Sequence, residues 1–256
     1  MQSVKKIMND LQLVERKKLI NSQIHDLTLK NLKYGNEIIS EYNTNLFDLE
    51  KSLKYRLNSI IFHAKEIEFQ INNVNKYLDD QINFHLRSED IIKYNNETSN
   101  FTEILLYLFD DQIFSSASFF DYLAKLFTVI FSKEFSRYDW KKFIKEINNN
   151  TISCEEKILK LLNEENGKFI KPLSQHRSQI IHNLMDMSNP RETVNWNQNS
   201  GLTKNLNPSV PKFFEEEFID FKILNENNQL SLIDASNWLL HNTLDSVERI
   251  LITISE

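Results

Sequence analysis

Glycine and proline are scarce, with three Gly and four Pro in 256 residues. Sandwiches, barrels and α/β folds with Gly-rich loops need more of both, so an all-α fold of few, long helices is expected. There is one cysteine, Cys154. It excludes an internal disulfide and a cysteine-based zinc site. A basic excess is also missing: 30 Lys and Arg stand against 36 Asp and Glu, for a net charge of −6. A generic nucleic-acid binder would be basic, so any RNA contact must come from a local patch. No run approaches the roughly 18 apolar residues of a membrane span, and the N-terminal MQSVKKIMNDLQLVERKK lacks the apolar centre of a signal peptide. The expected location is the cytoplasm, with no membrane as partner.

What is present suits a packed bundle. Hydrophobic residues make up 41% and charged residues 26%, enough to bury a core and keep a polar surface. Apolar periodicity predicts an amphipathic helix over 3–33, broken at Tyr34-Gly35-Asn36. A long helix, or two stacked ones, follows over 37–86 on a near-heptad row from Leu46 to Leu78. Asn95-Asn96 and Ser99-Asn100 read as a loop, with Ser99 or Asn100 capping a strongly apolar helix over 101–135. Two shorter helices are expected over 138–148 and 153–165, the second with a capping box from Ser153 and Glu156. A helix over 168–187, a polar loop over 189–212, a short strand or hairpin over 214–224 and a last helix over 231–254 complete the chain.

The segment KPLSQHRSQIIHNLMDM, from Lys171 to Met187, departs from what a plain bundle needs. Leu173, Ile180, Leu184 and Met187 form one helical stripe, and Arg177 sits on it. A guanidinium keeps its charge, so a core-facing Arg must meet a carboxylate, a partner chain or an anionic ligand. Asp121, embedded in the apolar 101–135 segment, is the favoured intrachain acid. His182 follows Arg177 by five residues, and Asp186 stands four after His182, placed to orient it. Lys168, Lys171 and His176 add positive charge at the start of the same helix, where the helix dipole also favours anions. A second pair, Arg56 and His63, lies within the long 37–86 helix. Trp140, Lys141, Lys142 and Lys145 form another basic cluster beside an aromatic, a pattern that can stack and hold single-stranded RNA. The paired carboxylates Asp79-Asp80 and Asp110-Asp111 have no His or third acid at ligand spacing, so no metal and no other cofactor is expected.

Arg177-Ser-Gln-Ile-Ile-His182, the apolar helix SASFFDYLAKLFTVIF with its acidic residue, and the final helix DASNWLLHNTLDSVERILITI together resemble the HEPN (higher eukaryote and prokaryote nucleotide-binding) domains. The likeness covers residues 101–256 as a HEPN-like four-helix core. Residues 1–100 would be a helical extension packed on it, the whole forming one structural unit. The resemblance implies a metal-independent endoribonuclease of the toxin or phage-defence type. It would be a homodimer that brings two motif helices together on an RNA substrate, with a regulatory or antitoxin protein as a further partner. Arg177 and His182 would be catalytic, supported by Asp121, Ser178 and Asp186, with Lys168, Lys171 and His176 on the RNA. Ser178 stands where the family often has Asn, Asp or His, and Leu184 stands where a nucleotidyltransferase-paired subgroup has Tyr. The alternative is a non-catalytic helical interaction protein whose long second helix presents a coiled-coil surface.

Overall fold

The computed structural model describes residues 9–32, 45–82, 88–132, 138–182, 192–197, 201–206, 208–218 and 231–255. The architecture is an all-α bundle with one small hairpin. Its helices are α1 (Asp10–Lys30), α2 (Leu46–Ile82), α3 (Ser88–Ser132), α4 (Trp140–Asn148), α5 (Glu156–Glu165), α6 (Lys171–His182), α7 (Lys212–Glu217) and α8 (Leu232–Ser255). Strands β1 (Glu192–Asn197) and β2 (Gly201–Leu206) pair antiparallel between α6 and α7.

Local chemistry sets the helix ends. Asn9 caps α1 by accepting the Gln12 backbone N–H at 2.8 Å, and Asp139 caps α4 through Lys142 at 2.8 Å. At the start of α8, Ser231 Oγ accepts the Asp234 N–H at 3.2 Å and Asp234 Oδ2 accepts the Ser231 N–H at 3.1 Å, a reciprocal capping pair. The end of α4 is a Schellman turn. Asn150 has φ 57°, its N–H reaches the Ile147 carbonyl at 3.0 Å, and Thr151 N–H reaches the Glu146 carbonyl at 3.0 Å. Asn is among the few residues besides Gly that tolerate this conformation.

One continuous core runs from Leu13 of α1 to Leu251 of α8. The α2 row Leu53, Leu57, Ile60, Ala64, Ile67 and Ile71 is buried and forms the seam with α3. The two run antiparallel, fixed by a Ser59–Ser115 hydroxyl hydrogen bond at 2.9 Å. Phe109, Phe119, Phe120 and Phe127 of α3 are fully buried, so α3 is the central helix. Over Ser99–Phe131 it is long and apolar enough to cross a membrane by length and composition, but most of that stretch is buried within the bundle. The hairpin rests on α2, where Asn75 Oδ1 accepts the Leu206 backbone N–H at 2.7 Å.

Several sequence expectations are corrected. α3 begins at Ser88 and runs through the expected 95–100 loop, so neither Ser99 nor Asn100 is a cap and a boundary at residue 100 falls inside a helix. Without Gly or Pro, weak helix formers there are carried along by cooperative extension. Ser153 is not the cap of α5, which starts after Glu155 with no side-chain cap bond. The expected 189–212 loop holds the hairpin, and the expected strand near 214–224 begins instead within α7. The 34–36 break and residues 219–224 lie outside the described residues.

A wide turn joins α5 to α6. Asn166–Ile170 is π-helical, with the Lys171 N–H reaching back to the Asn166 carbonyl. Pro172 follows immediately. It has no N–H for the Lys168 carbonyl, and in a regular helix its ring would press on that carbonyl. Widening the preceding turn relieves the clash. A Cβ on Gly167 would meet nothing within 4 Å, so space does not demand glycine there.

Candidate functional site

Three helices converge on Asp121. Arg177 Nη1 of α6 donates to Asp121 Oδ2 at 2.8 Å, and the Trp140 backbone N–H at the head of α4 donates to Asp121 Oδ1 at 3.0 Å. Trp140 is itself 1% exposed, and its indole N–H reaches Asn166 Oδ1 in the wide turn at 3.2 Å. The Arg177 and Asp121 side chains are 26% and 20% exposed. The pair therefore sits at the mouth of the α3–α6 seam rather than deep in the core. This is the contact expected from Arg177's place between Leu173, fully buried, and Ile180, half-buried.

The other expected site residues separate. Ser178 is exposed, and its neighbour Gln179 donates to Glu217 of α7 at 3.1 Å. Lys168 and Lys171 are exposed, as a phosphate-facing patch requires. His176 is not: it is 2% exposed and meets Phe214 of α7 edge-on at 5.5 Å. It lies on the same inward face as Leu173, so the RNA contact expected of it is withdrawn. Trp140 is likewise in the core, against Phe120 at 5.5 Å and Phe143 at 5.8 Å. A base cannot stack on it, and Lys142 caps the Tyr138 ring instead, at 4.1 Å.

His182 is the last residue of α6; its side chain and all of Asp186 lie outside the described residues. α6 is regular from Lys171 to His182. Five residues of regular helix turn about 140°, so Arg177 and position 182 do not share a face. Position 182 falls on the side where Ser178 and Ile181 are exposed. The distortion in this part of the chain precedes Arg177 and does not bring the two together.

The alternative pair, Arg56 and His63, shares a face of α2 at seven-residue spacing. Arg56 lies over the Tyr55 ring at 5.5 Å, and His63 meets Phe62 edge-on at 5.3 Å. Burial holds His63 below its ordinary pKa, against the opposing charges of Asp111 and Glu66. Nearby, burial pushes the Asp110 carboxyl up to about 6, with Asp111 adding to the rise. Among the described residues no group of three or more His, Cys, Asp or Glu is arranged to hold a metal ion.

Two ionic nodes were not expected from the sequence. Arg16 of α1 forks onto α8, with Nε to Glu248 Oε1 at 2.7 Å, and Nη2 to Glu248 Oε2 and Asp245 Oδ1, both at 2.8 Å. Glu165, 2% exposed, accepts the Ser246 hydroxyl at 2.6 Å and pairs with Arg249. Arg249 also reaches Glu164 at 3.0 Å. The only advance signal was an acid or base on an otherwise apolar helical face.

Fold and site together define a helical bundle with a clamped, half-exposed arginine at its central seam. No family model, no curated protein and no solved structure matches the chain.

Proposed function

We propose that this chain is a HEPN-like, metal-independent endoribonuclease of the toxin or phage-defence type, acting as a homodimer. The observation that supports it is Arg177, held by Asp121 at 2.8 Å while 26% of its side chain stays exposed. A guanidinium carries five N–H donors, and the Asp121 pair uses one of them. A cation fixed in one pose at a surface seam suits a developing phosphorane, because little reorganisation is needed when charge appears.

In this reading the RNA 2′-oxygen attacks its own phosphorus. A base removes the 2′-proton, Arg177 stabilises the equatorial oxygens, and an acid protonates the departing 5′-oxygen. His182 carries the proton steps, since imidazole titrates near neutrality. The 140° between positions 177 and 182 makes the site composite: each phosphate would meet Arg177 of one copy and His182 of the other. Lys168 and Lys171 would hold flanking phosphates.

The test is an assay of wild type, Arg177→Ala and His182→Ala on total RNA, with and without EDTA. Wild type should cut in both conditions, leave 2′,3′-cyclic phosphates and lose roughly 10²–10⁴ in rate in either variant. A silent wild type, or an active His182→Ala, overturns the reading. Loss of activity in Arg56→Ala and His63→Ala alone would move the site to α2. A second reading, a non-catalytic interaction protein working through α2, is favoured by the large exposed side chains on that helix.

A further inference from the structure

The outward face of α2 carries an ordered row. Opposite the buried Leu57–Ile60–Ala64–Ile67 side, Tyr55, Phe62 and Phe69 follow at seven-residue intervals and are 65%, 57% and 57% exposed. Single exposed aromatics are ordinary. Three in register make a ridge roughly 21 Å long. The same spacing continues one step each way, to Asp48 and Lys76. Lys76 is exposed, and Asp48 has a loose neighbour in Lys51 at 3.7 Å, which leaves its carboxylate open to a second cation. The row therefore reads acid, aromatic, aromatic, aromatic, base.

Reversed about its centre, this row is its own complement. Phe62 meets Phe62 of a second copy, Tyr55 meets Phe69, and Asp48 meets Lys76, twice over. A parallel arrangement would set Asp48 against Asp48. We infer that α2 is a self-docking face: two copies of this chain pair their α2 helices antiparallel, about a two-fold axis at Phe62. Such an axis requires a self-complementary patch, and this row supplies one. A seven-residue row drifts round a straight helix, and a left-handed crossing of two such helices follows it. Exposed Lys51, Asn58 and Asn72 form a polar border to the aromatic ridge. Three aromatic side chains from each copy, with that border, reach roughly the 1,000 Å² at which specific interfaces begin, so association in the micromolar range is expected. Among the described residues α6 packs on α3, α7 and the wide turn. The contact lies on α2, not on α6, so it is a second two-fold beside the one the ribonuclease reading needs; α2 pairing alone gives a dimer, and both contacts together give a larger assembly.

The test is sedimentation of the full chain from about 1 to about 500 µM, a range that brackets such an affinity. Wild type should form a dimer through α2, and a larger assembly where the α6 contact also forms; the effects below are read on the α2 step. Phe62→Asp places two carboxylates at the axis and should weaken association at least about 100-fold, with unchanged helical circular dichroism because the side chain is exposed. Asp48→Lys and Lys76→Asp should each weaken it about 3–10-fold. The double variant D48K/K76D should recover, and an equal mixture of the two single variants should associate more tightly than either alone. A wild type that stays monomeric, a dimer indifferent to Phe62→Asp, or a charge swap that restores nothing overturns the inference. A dimer lost in Ile181→Asp but kept in Phe62→Asp also overturns it, while leaving the composite α6 site standing.

Discussion

Asp121 and Arg177 are joined at 2.8 Å across the α3–α6 seam, and the other oxygen of Asp121 holds the first backbone N–H of α4. One carboxylate thus fixes the pose of the arginine and the start of a neighbouring helix. Unequal costs are expected on mutation. Arg177→Ala should cost about 1–2 kcal/mol, since Asp121 stays partly solvated and keeps the Trp140 bond. Asp121→Ala should cost about 2–3 kcal/mol, losing both. The double variant should fall close to Asp121→Ala alone, because the pair shares one partner. Urea denaturation of the three variants checks this, and additive effects would refute the shared node.

Glu165 gives a contrast between buried and surface ion pairs. Arg249→Ala removes the counter-ion of a carboxylate that is 2% exposed, and should cost about 2–4 kcal/mol. Glu164→Ala removes the other partner of the same arginine, which is exposed, and should cost at most about 1 kcal/mol. Thermal unfolding of both variants separates the two. Equal losses would mean that Glu165 is better solvated than its burial implies.

The Arg16 fork tests how α1 is held. Arg16→Lys keeps the charge and loses the planar two-point contact with Glu248, so it should cost nearly as much as Arg16→Ala, about 1–2 kcal/mol. Hydrogen exchange should show α1 amides opening faster in both variants while α3 stays protected. A lysine variant indistinguishable from wild type would show that charge alone suffices.

Two groups on neighbouring helices, Asp110 of α3 and His63 of α2, give opposed pH responses. Asp110 is raised from 3.8 to about 6, so the fold favours its protonated form. Its contribution is complete below 3.8 and is lost as pH rises through about 6. His63 is lowered from 6.5, so its contribution is present above 6.5 and is lost on acidification. Asp110→Asn should therefore be more stable than wild type at pH 8, by about 1–2 kcal/mol after solvent screening, and show no gain at pH 4. Melting temperatures of the variant and wild type from pH 4 to 8 decide it, and an equal gain at both ends would place the effect outside titration.

The Arg177–Asp121 pair was legible in the sequence because a charge on an apolar stripe must be answered, and the apolar 101–135 segment carried a suitable acid. Long helices were legible from the scarcity of glycine and proline. The start of α3 was not, since Asn95, Asn96, Ser99 and Asn100 weaken a helix without ending it. The 192–206 hairpin was not, because a strand is defined by its partner and the alternation of Val194 and Trp196 is too short to mark one. The fates of His176, Trp140 and Glu165 were hidden for a related reason. Their partners, Phe214, Asp121 and Ser246, lie far along the chain, and burial of a polar or aromatic group is decided where they meet. On α2, the leucine-rich heptad row drew attention to the core seam, while the aromatic row outside it has the same period.

The wide turn at Asn166–Ile170 has a consequence for how this protein tolerates change. It touches neither Asp121 nor Arg177 directly through the residues that set its width, yet it carries the chain from α5 into α6. Removing one residue there would let the backbone close into ordinary helix, and four residues of α-helix turn about as far as the five of the wide turn, so everything downstream would keep its phase. Arg177 would stay on Asp121 and His176 beside Phe214, while the Pro172 ring would be brought against the carbonyl four residues before it. Within the turn, Asn166 holds the Trp140 indole and Phe169 and Ile170 are buried, so substitutions there should be felt, while the exposed Gly167 and Lys168 should accept them without loss of stability. The one extra residue at this joint lets a proline stand at the head of α6 without changing the side from which the clamped arginine is presented.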